Sequence, residues 1–245
     1  MSRSIGIISY CDHLRTRAHI NHQAYASRHG YTYIFDVAPT VERKFGAKLE
    51  KIQKLTPLFD WTFWIDDDAF FMQHDQALRG FLPKDPRTAL VFCESPVNKG
   101  KKTWISSGNF LIRRTARTSR FLRDVARTPM DVVEAWWDVD RLGYFTRGDQ
   151  DAMVYQLLTN PDYRRPGFVR RLPYTAFNTR PFHFHSKPDE HFLVHFTGDD
   201  KGAQAAAFAG RFGLSEALVP WSVEDRYQMR YVPARRIEPG VVTNE

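Results

Sequence analysis

The feature that most constrains the fold of this 245-residue chain is an alternation of short apolar runs and longer amphipathic stretches in its first half. The apolar runs are rich in β-branched and aromatic residues, which is typical of buried strands. The first amphipathic stretch stops before Gly30, a residue type favoured just beyond a helix C-terminus. We predict strands at 5–9, 31–35, 61–65 and 89–93, and helices at 16–29 and 47–58. This order predicts an α/β fold with a mostly parallel central sheet flanked by helices.

The second half of the chain is less regular. We predict a strand at 109–112 and a helix from a cap at Thr115 to about residue 127. Further helices are expected at 131–141 and 149–158, and a last strand at 192–196. The tail after Trp221 is punctuated by Pro and Arg, so we expect it to wrap around the domain or to fray.

Three consecutive acids, Asp66, Asp67 and Asp68, follow directly on the apolar strand 61–65. The carboxyl ends of strands are where α/β sheets place their ligands. Adjacent carboxylates repel each other, so a cation normally compensates them when they are partly buried. In an extended chain Asp66 and Asp68 would share a face, and carboxylate oxygens suit Mg²⁺ or Mn²⁺. The alternative interpretation is a solvated acidic turn.

Other polar residues are weaker candidates. His195 ends the last predicted strand and would be a third metal ligand, in competition with His183, His185 and His191. Lys48, Lys51 and Lys54 recur along one predicted helix, where one of them could reach a phosphate, although a solvated face is the commoner explanation. The segment 106–109 is small and polar and is interpreted as a turn, which either lets a substrate approach the backbone or is structural only. Asp149 and Gln150 begin a helix, where one acid is explained by capping.

The composition and the amino terminus bear on the partner of the chain, on its cysteines and on its compartment. The formal net charge is +7, and 25 of the 35 basic residues are Arg, whose planar guanidinium suits paired phosphate oxygens. Cys11 and Cys93 form no metal or redox motif, so we expect buried, inert thiols. The first residues do not form a signal-peptide core, and no stretch is long and apolar enough to span a membrane. We therefore expect a cytoplasmic protein.

Six blocks of sequence, in order, resemble one family of enzymes. They are the N…YA..HGY stretch that begins at Asn21, WIDDDAFF at 64–71, SSGNFLIRR at 106–114, GDQDA at 148–152, the pair Phe177-Asn178, and VHFTGDDK at 194–201. Together they resemble the galactosyl-, mannosyl- and xylosyltransferases typified by yeast α-galactosyl- and α-mannosyltransferases and plant xyloglucan xylosyltransferases.

This resemblance implies a GT-A glycosyltransferase domain of the Rossmann-like type, with a divalent metal (Mn²⁺ or Mg²⁺) and retention of anomeric configuration. It places the metal on Asp66, Asp68 and His195. Donor contacts would come from Lys48, Asp66, Asp67, Ser106, Gly108, Gly198 and Lys201. Asp149 and Gln150 would face the reacting sugar and the acceptor. Ser106 stands where the family usually has Asn, and Lys201 lies one residue later than in the family pattern.

The expected enzyme is a hexosyl- or pentosyltransferase that uses a UDP- or GDP-sugar. Its domain would span 1–220, with a donor half to about 110, an acceptor half from 111, and an extension at 221–245. The acceptor hydroxyl would belong to a small molecule or glycan, or to a polyanion such as nucleic acid with modified bases; the basic loop 98–102 leaves the last option open. The alternatives are a metal-dependent phosphodiesterase or nuclease, since clustered Asp and His also build two-metal sites, and a non-catalytic carbohydrate-binding relic.

Overall fold

The computed structural model describes residues 3–38, 44–97, 100 and 102–227. Most of the predicted basic loop (Asn98, Lys99 and Lys101) and the tail beyond Tyr227 therefore lie outside the described residues. The strands are β1 (Ile5–Cys11), β2 (Thr32–Val37), β3 (Trp61–Ile65), β4 (Ala69–Phe71), β5 (Leu90–Cys93), β6 (Ser106–Arg113), β7 (Val169–Leu172) and β8 (Leu193–His195). The helices are α1 (Ala18–His29), α2 (Lys44–Leu55), α3 (Ala116–Arg127), α4 (Met130–Trp136), α5 (Val139–Leu142), α6 (Asp149–Thr159), α7 (Tyr174–Phe177), α8 (Lys201–Phe212) and α9 (Trp221–Tyr227).

Six strands form the central sheet in the order β2-β1-β3-β6-β5-β7. Strand β1 is parallel to both β2 and β3, and β7 is parallel to β5. Strand β6 runs antiparallel to both of its neighbours, β3 and β5. The prediction of an α/β fold with a mostly parallel sheet is confirmed.

Helices cover both faces of this sheet. On one face, α2, α3 and α6 pack their apolar side chains, such as Ile52, Phe121 and Met153, against the sheet. On the other face, α1 contributes Tyr25 to a second apolar cluster with strands β1, β3 and β4. Each strand of the sheet centre is therefore buried on both sides, which accounts for the continuous apolar runs in the sequence.

A second, two-stranded sheet was not predicted and is decisive for the site. Strands β4 and β8 pair antiparallel, with Ala69 opposite His195 and Phe71 opposite Leu193. Strand β4 is three residues long, too short for its apolar residues alone to indicate a separate strand. The pairing brings the end of the last strand to the start of β4, directly after the acidic triplet.

Several local predictions were wrong, each for a physical reason. The segment 106–109 is not a turn: it begins β6 and is buried between β3 and β5, so pairing overrides its polar composition. The helix predicted at 131–141 is two helices, because Trp137 is extended and Asp138 caps α5 through the amides of Asp140 and Arg141. Strand β7 and the alanine-rich helix α8 were missed.

The helix end at Gly30 and the burial of both cysteines agree with the predictions. Gly30 follows α1 with a φ of 64°, in the left-handed region that glycine adopts most readily. Cys11 and Cys93 are buried free thiols, and burial raises the pKa of Cys11 to about 11 and of Cys93 to about 12. Among the helices of the described residues, none has the length and apolar character that a bilayer crossing requires.

Candidate functional site

The acidic triplet at 66–68 forms the turn that joins β3 to β4. The amide of Asp66 donates to the carbonyl of Gly108 at 3.0 Å, and the amide of Ala69 donates to the carbonyl of Asp66 at 3.2 Å. The expectation that Asp66 and Asp68 share a face of an extended chain is therefore wrong, because the chain turns between them. Both acids nevertheless place a carboxylate oxygen within 4.8 Å of a ring nitrogen of His195.

The second sheet fixes His195 against the triplet. The amide of Phe196 donates to the carbonyl of Asp68 at 2.9 Å, and Nε2 of His195 lies 3.0 Å from Oδ1 of Asp68. The ammonium group of Lys201, at the start of α8, pairs with the other carboxylate oxygen of Asp68. Burial alone would raise the pKa of Asp68, but these two partners hold it well below its usual range. Asp68 is therefore a fixed negative charge whose side chain is almost closed to solvent.

The orientation of the His195 ring is set by Asn178. Nδ1 of His195 lies 2.8 Å from the amide oxygen of Asn178, which can only accept, so Nδ1 carries the proton. In the neutral ring, Nε2 then directs its lone pair at Asp68. Two acceptors 3.0 Å apart need a proton or a cation between them. A hydrogen bond at the far nitrogen is how proteins orient a metal-binding histidine.

Lys48 links the triplet to the start of α6. Its ammonium group lies 3.2 Å from Oδ1 of Asp66 and 3.1 Å from Oδ2 of Asp149, and it donates to the carbonyl of Ser107 at 2.8 Å. The indole N–H of Trp64 donates to the same oxygen of Asp66 at 2.8 Å. The side chain of Lys48 is 11% exposed, so it is a held component of the site rather than part of a solvated helix face.

Asp151, and not Asp149, caps helix α6. One carboxylate oxygen of Asp151 accepts from the amide of Thr146 at 2.8 Å, from the Thr146 hydroxyl at 2.8 Å and from the amide of Gly148 at 3.1 Å. Asp151 is fully buried. The capping predicted for one acid at this helix start is therefore provided by Asp151. The carboxylate of Asp149 is not needed for capping and is available to the cleft.

Gln150 and Ser106 occupy the edge of the site along β6. The side-chain oxygen of Gln150 accepts from the amide of Ser107 at 3.3 Å, which ties the start of α6 to β6. Ser106 is buried at the first position of β6, opposite Cys93. Its hydroxyl makes no hydrogen bond to the acidic triplet within the described ranges. The structure thus places Gln150 at the margin of the site, in contact with Ser107, whereas Ser106 lies further along β6 from the triplet than Gly108 does.

The other two acids of the triplet differ from Asp68 in electrostatic state. Burial raises the pKa of Asp66 above its ordinary value, although Lys48 acts in the opposite direction. Burial, together with repulsion from Asp68 and Asp66, raises the pKa of Asp67 to about 7. Lys48 in turn has a raised pKa in spite of its burial, because Asp149 and Asp66 stabilise its charge. Negative charge at this edge of the sheet thus exceeds what its lysines neutralise.

These residues fit a divalent cation. Asp66, Asp68 and His195 each offer one ligand atom, all within 4.8 Å of one another. Two carboxylates and an imidazole with its outer nitrogen hydrogen-bonded form a donor set that suits Mn²⁺ or Mg²⁺. The buried Oδ1 of Asp68 has Nε2 of His195 as its close polar neighbour at 3.0 Å, and a cation between these two atoms would satisfy both.

A cavity of about 480 Å³ opens beside this group, and most of the predicted donor-binding residues line it. Lys48, the whole triplet, Asp149, Gly198 and Lys201 are on its wall. Six other residues line the cavity and were not among the predicted site residues: Tyr10, Cys11, Asp12, Arg15, Phe45 and Asp199. Tyr10 and Asp12 lie at the carboxyl end of β1, so the rule that ligands bind there could have indicated them.

The competing candidates of the sequence lie elsewhere. The Nε2 atom of His191 is 3.3 Å from the carbonyl of His183, and neither residue belongs to the Asp–Asp–His group. Lys51 pairs with Asp36 at 2.6 Å. Asn178 was noticed in the sequence only as half of a motif, and its contact with His195 could not be anticipated without the fold.

Gly108 offers a test of the geometry. A Cβ atom at this position would lie 2.5 Å from Cε1 of His195 and 3.0 Å from Oδ2 of Asp66. We expect Gly108→Ala to displace the imidazole and weaken Mn²⁺ binding by at least ~10-fold, the size seen when a metal ligand loses its support. The measurement is a titration of Mn²⁺ followed by electron paramagnetic resonance.

Gly210→Ala is the matched control, since a Cβ on this residue of α8 meets nothing within 4 Å. It should bind Mn²⁺ like the wild type. Unchanged Mn²⁺ affinity in Gly108→Ala would contradict the placement of the ion between Asp66 and His195.

Solved structures of glycosyltransferases resemble this fold. One involved in the glycosylation of the major capsid of PBCV-1 is similar over 84% of this chain and 99% of its own, with a TM-score of 0.62 and 15% sequence identity. The glycosyltransferase GlyE of Streptococcus pneumoniae is similar over 92% of this chain and 63% of its own, with a TM-score of 0.52 and 11% identity. This chain has their fold. No protein-family profile and no curated protein matches its sequence.

Proposed function

We propose that the protein is a metal-dependent, retaining glycosyltransferase that moves a hexose or pentose from a UDP- or GDP-sugar to an acceptor hydroxyl. The observation that carries the proposal is the group formed by Asp66, Asp68 and His195, flanked by Lys48 and Lys201, at the carboxyl edge of the sheet. The fold shared with glycosyltransferases supports it, since ligands of such sheets bind at this edge.

The residues divide into two roles. Asp66, Asp68 and His195 would hold Mn²⁺ or Mg²⁺, and the ion, when bound, would offset the charge that develops on the departing diphosphate. Lys201 and Lys48 lie on the cavity wall next to these ligands, where their ammonium groups would bind phosphate oxygens. Asp67, Gly108 and Gly198 would contact the rest of the donor.

Asp149 and Gln150 would act at the reacting sugar. Retention needs either a carboxylate nucleophile or attack on the same face as the departing group, with the diphosphate as base. Asp149 is the candidate for the first route: its carboxylate lines the cavity and pairs with Lys48, which also pairs with Asp66. Gln150 is the candidate for the second, in which its amide would stabilise positive charge on the sugar ring.

The structure gives the phosphodiesterase or nuclease alternative no support. Such enzymes hold two metal ions about 3.5–4 Å apart, which requires a second set of ligands. Within the residues that the structure describes, the Asp–Asp–His group is the one cluster of three potential ligands. A carbohydrate-binding relic would have little need for the buried Lys48 between Asp66 and Asp149.

Donor binding gives a direct test. Because the cation would bridge protein and phosphate, UDP or GDP should raise the melting temperature only when Mn²⁺ is present. At a nucleotide concentration of 100 times its Kd the stabilisation would be about 2.7 kcal/mol. Calorimetric scans with and without Mn²⁺, for each nucleotide, make the measurement. Equal stabilisation in EDTA would contradict a bridging metal and indicate that the lysines alone hold the phosphates.

A screen of UDP- and GDP-sugars for Mn²⁺-dependent hydrolysis tests the activity itself, since donors can be turned over slowly by water without an acceptor. Release of nucleotide from one sugar above the others would identify the donor. No turnover of any donor, together with no metal-dependent nucleotide binding, would reject the proposed function.

A further inference from the structure

A face of arginine side chains lies on α3, outside the site described above. Arg117, Arg120, Arg123 and Arg127 are all exposed. At 3.6 residues per turn they fall within an arc of about 120° and along about 15 Å of helix. The opposite side of the helix is buried in the core through residues such as Phe121 and Val125. The helix therefore packs by one face and presents four guanidinium groups on the other.

Two further exposed arginines, Arg164 and Arg165, lie in the loop that follows α6. The loop is fastened to α3 by Tyr163, whose buried ring meets the Phe121 ring edge-on at 5.2 Å. The six residues, Arg117, Arg120, Arg123, Arg127, Arg164 and Arg165, are called the arginine face below.

Acids near this face neutralise little of it. Asp162 lies 3.4 Å from the guanidinium of Arg120, and Asp124 accepts a hydrogen bond from the hydroxyl of Tyr163. In the described part of the chain, the other five arginines of the face form no ion pair. An isolated basic side chain is normal at a surface, but six guanidinium groups beside two carboxylates create a concentrated positive potential.

The composition of the surrounding segment indicates which anion fits. Residues 103–186 contain 13 arginines and no lysine. Arginine offers a planar, bidentate donor set that matches phosphate oxygens, whereas lysine supplies a point charge. A stretch that needed only solubility would gain as much from lysine. The preference for arginine therefore favours phosphate groups as the partner.

We propose that the arginine face binds the phosphate backbone of a nucleic acid without reading its sequence. One strand of DNA carries a phosphate about every 3.4 Å of helix axis, so the 15 Å length of the face spans roughly four of them. Within the described residues α3 carries no exposed large apolar side chain, so it lacks both an anchor for a membrane interface and a platform for base stacking. Binding would therefore be confined to the backbone.

The experiment measures fluorescence anisotropy of a short labelled DNA duplex as a function of salt concentration. The variant R117Q/R123Q/R127Q removes three charges that form no ion pair. It should bind the duplex at least ~10-fold more weakly at low salt. It should also lower the slope of log K against log[salt] by about 3, since each removed arginine leaves one phosphate with its counterion. Donor hydrolysis should be unchanged, because none of these residues lines the cavity.

The control is R28Q/R211Q/R226Q, which removes the same formal charge from exposed positions on α1, α8 and α9, where Arg28 pairs with the exposed Asp75. It should bind the duplex like the wild type. Three outcomes would overturn the proposal: equal weakening in both variants, which indicates net charge alone; no binding by the wild type at low salt; or loss of binding to phosphatidylserine vesicles with duplex binding retained, which indicates a membrane partner. None of these outcomes depends on whether the protein transfers a sugar.

Discussion

Replacing Asp68 by alanine is expected to lower the rate of donor turnover by at least ~10²-fold, the size of comparable losses of electrostatic stabilisation. Asp68 is the most buried acid of the triplet and holds both His195 and Lys201. Its loss would remove one of the three proposed metal ligands and would also leave His195 and Lys201 without their anion. The measurement is Mn²⁺-dependent release of nucleotide by the purified variant, next to a calorimetric scan that establishes folding.

Two controls test whether the loss of rate is due to the metal site: metal removal from the wild type and a charge substitution outside the site. EDTA should abolish turnover by the wild type, and excess Mn²⁺ should restore it. Asp200→Asn removes an exposed acid at the start of α8 and should leave the rate within about twofold, since surface charges far from a partner contribute little. Full activity of the wild type in EDTA would refute the metal site as a whole.

The second large effect is expected at Asp149. If its carboxylate acts as charge develops on the sugar, Asp149→Asn should lower kcat by at least ~10²-fold and leave donor affinity nearly constant. The isosteric amide still fits beside Lys48, and the cap of α6 is untouched because Asp151 provides it. Steady-state kinetics and a donor titration separate the two parameters.

Asp151→Asn is the informative comparison for Asp149→Asn. This substitution perturbs the turn at 146–148. It should therefore lower the free energy of unfolding by the ~1 kcal/mol typical of a lost helix cap and have little effect on kcat. The reverse pattern, an active Asp149→Asn with a lowered melting temperature, would assign Asp149 a structural role and leave the metal group as the remaining chemistry.

The sequence was sufficient for the α/β class, for the first strands and helices, and for the neighbourhood of the acidic triplet. These predictions rest on local signals: an apolar run, a glycine after a helix, acids at a strand end. The failures are non-local. Strand β4 is short and follows β3 after a three-residue turn, so only its pairing with β8 distinguishes it. The polar start of β6 is a strand because two neighbours bury it.

In the candidate site, too, some residues could be predicted from the sequence, whereas the contacts between distant residues could not. Asp66, Asp68, Lys48 and Lys201 could be named from resemblance, and the structure places them on one cavity wall. The division of labour between Asp149 and Asp151 could not be predicted, because either acid of a GDQD run can cap a helix. The support that Asn178 gives to His195 depends on a contact across 17 residues that no periodicity encodes.

The pairing of β4 with β8 also determines when, during synthesis of the chain, the acidic triplet can meet its later partners. Asp68 leaves the ribosome long before His195 and Lys201, and its carboxylate acquires these partners only when β8 pairs with β4. Until then the triplet is an exposed acidic turn with no enclosed cation site. A slip of one residue in that pairing would turn the imidazole to the opposite side of the strand. Metal affinity would therefore report on the docking of β8 against β4.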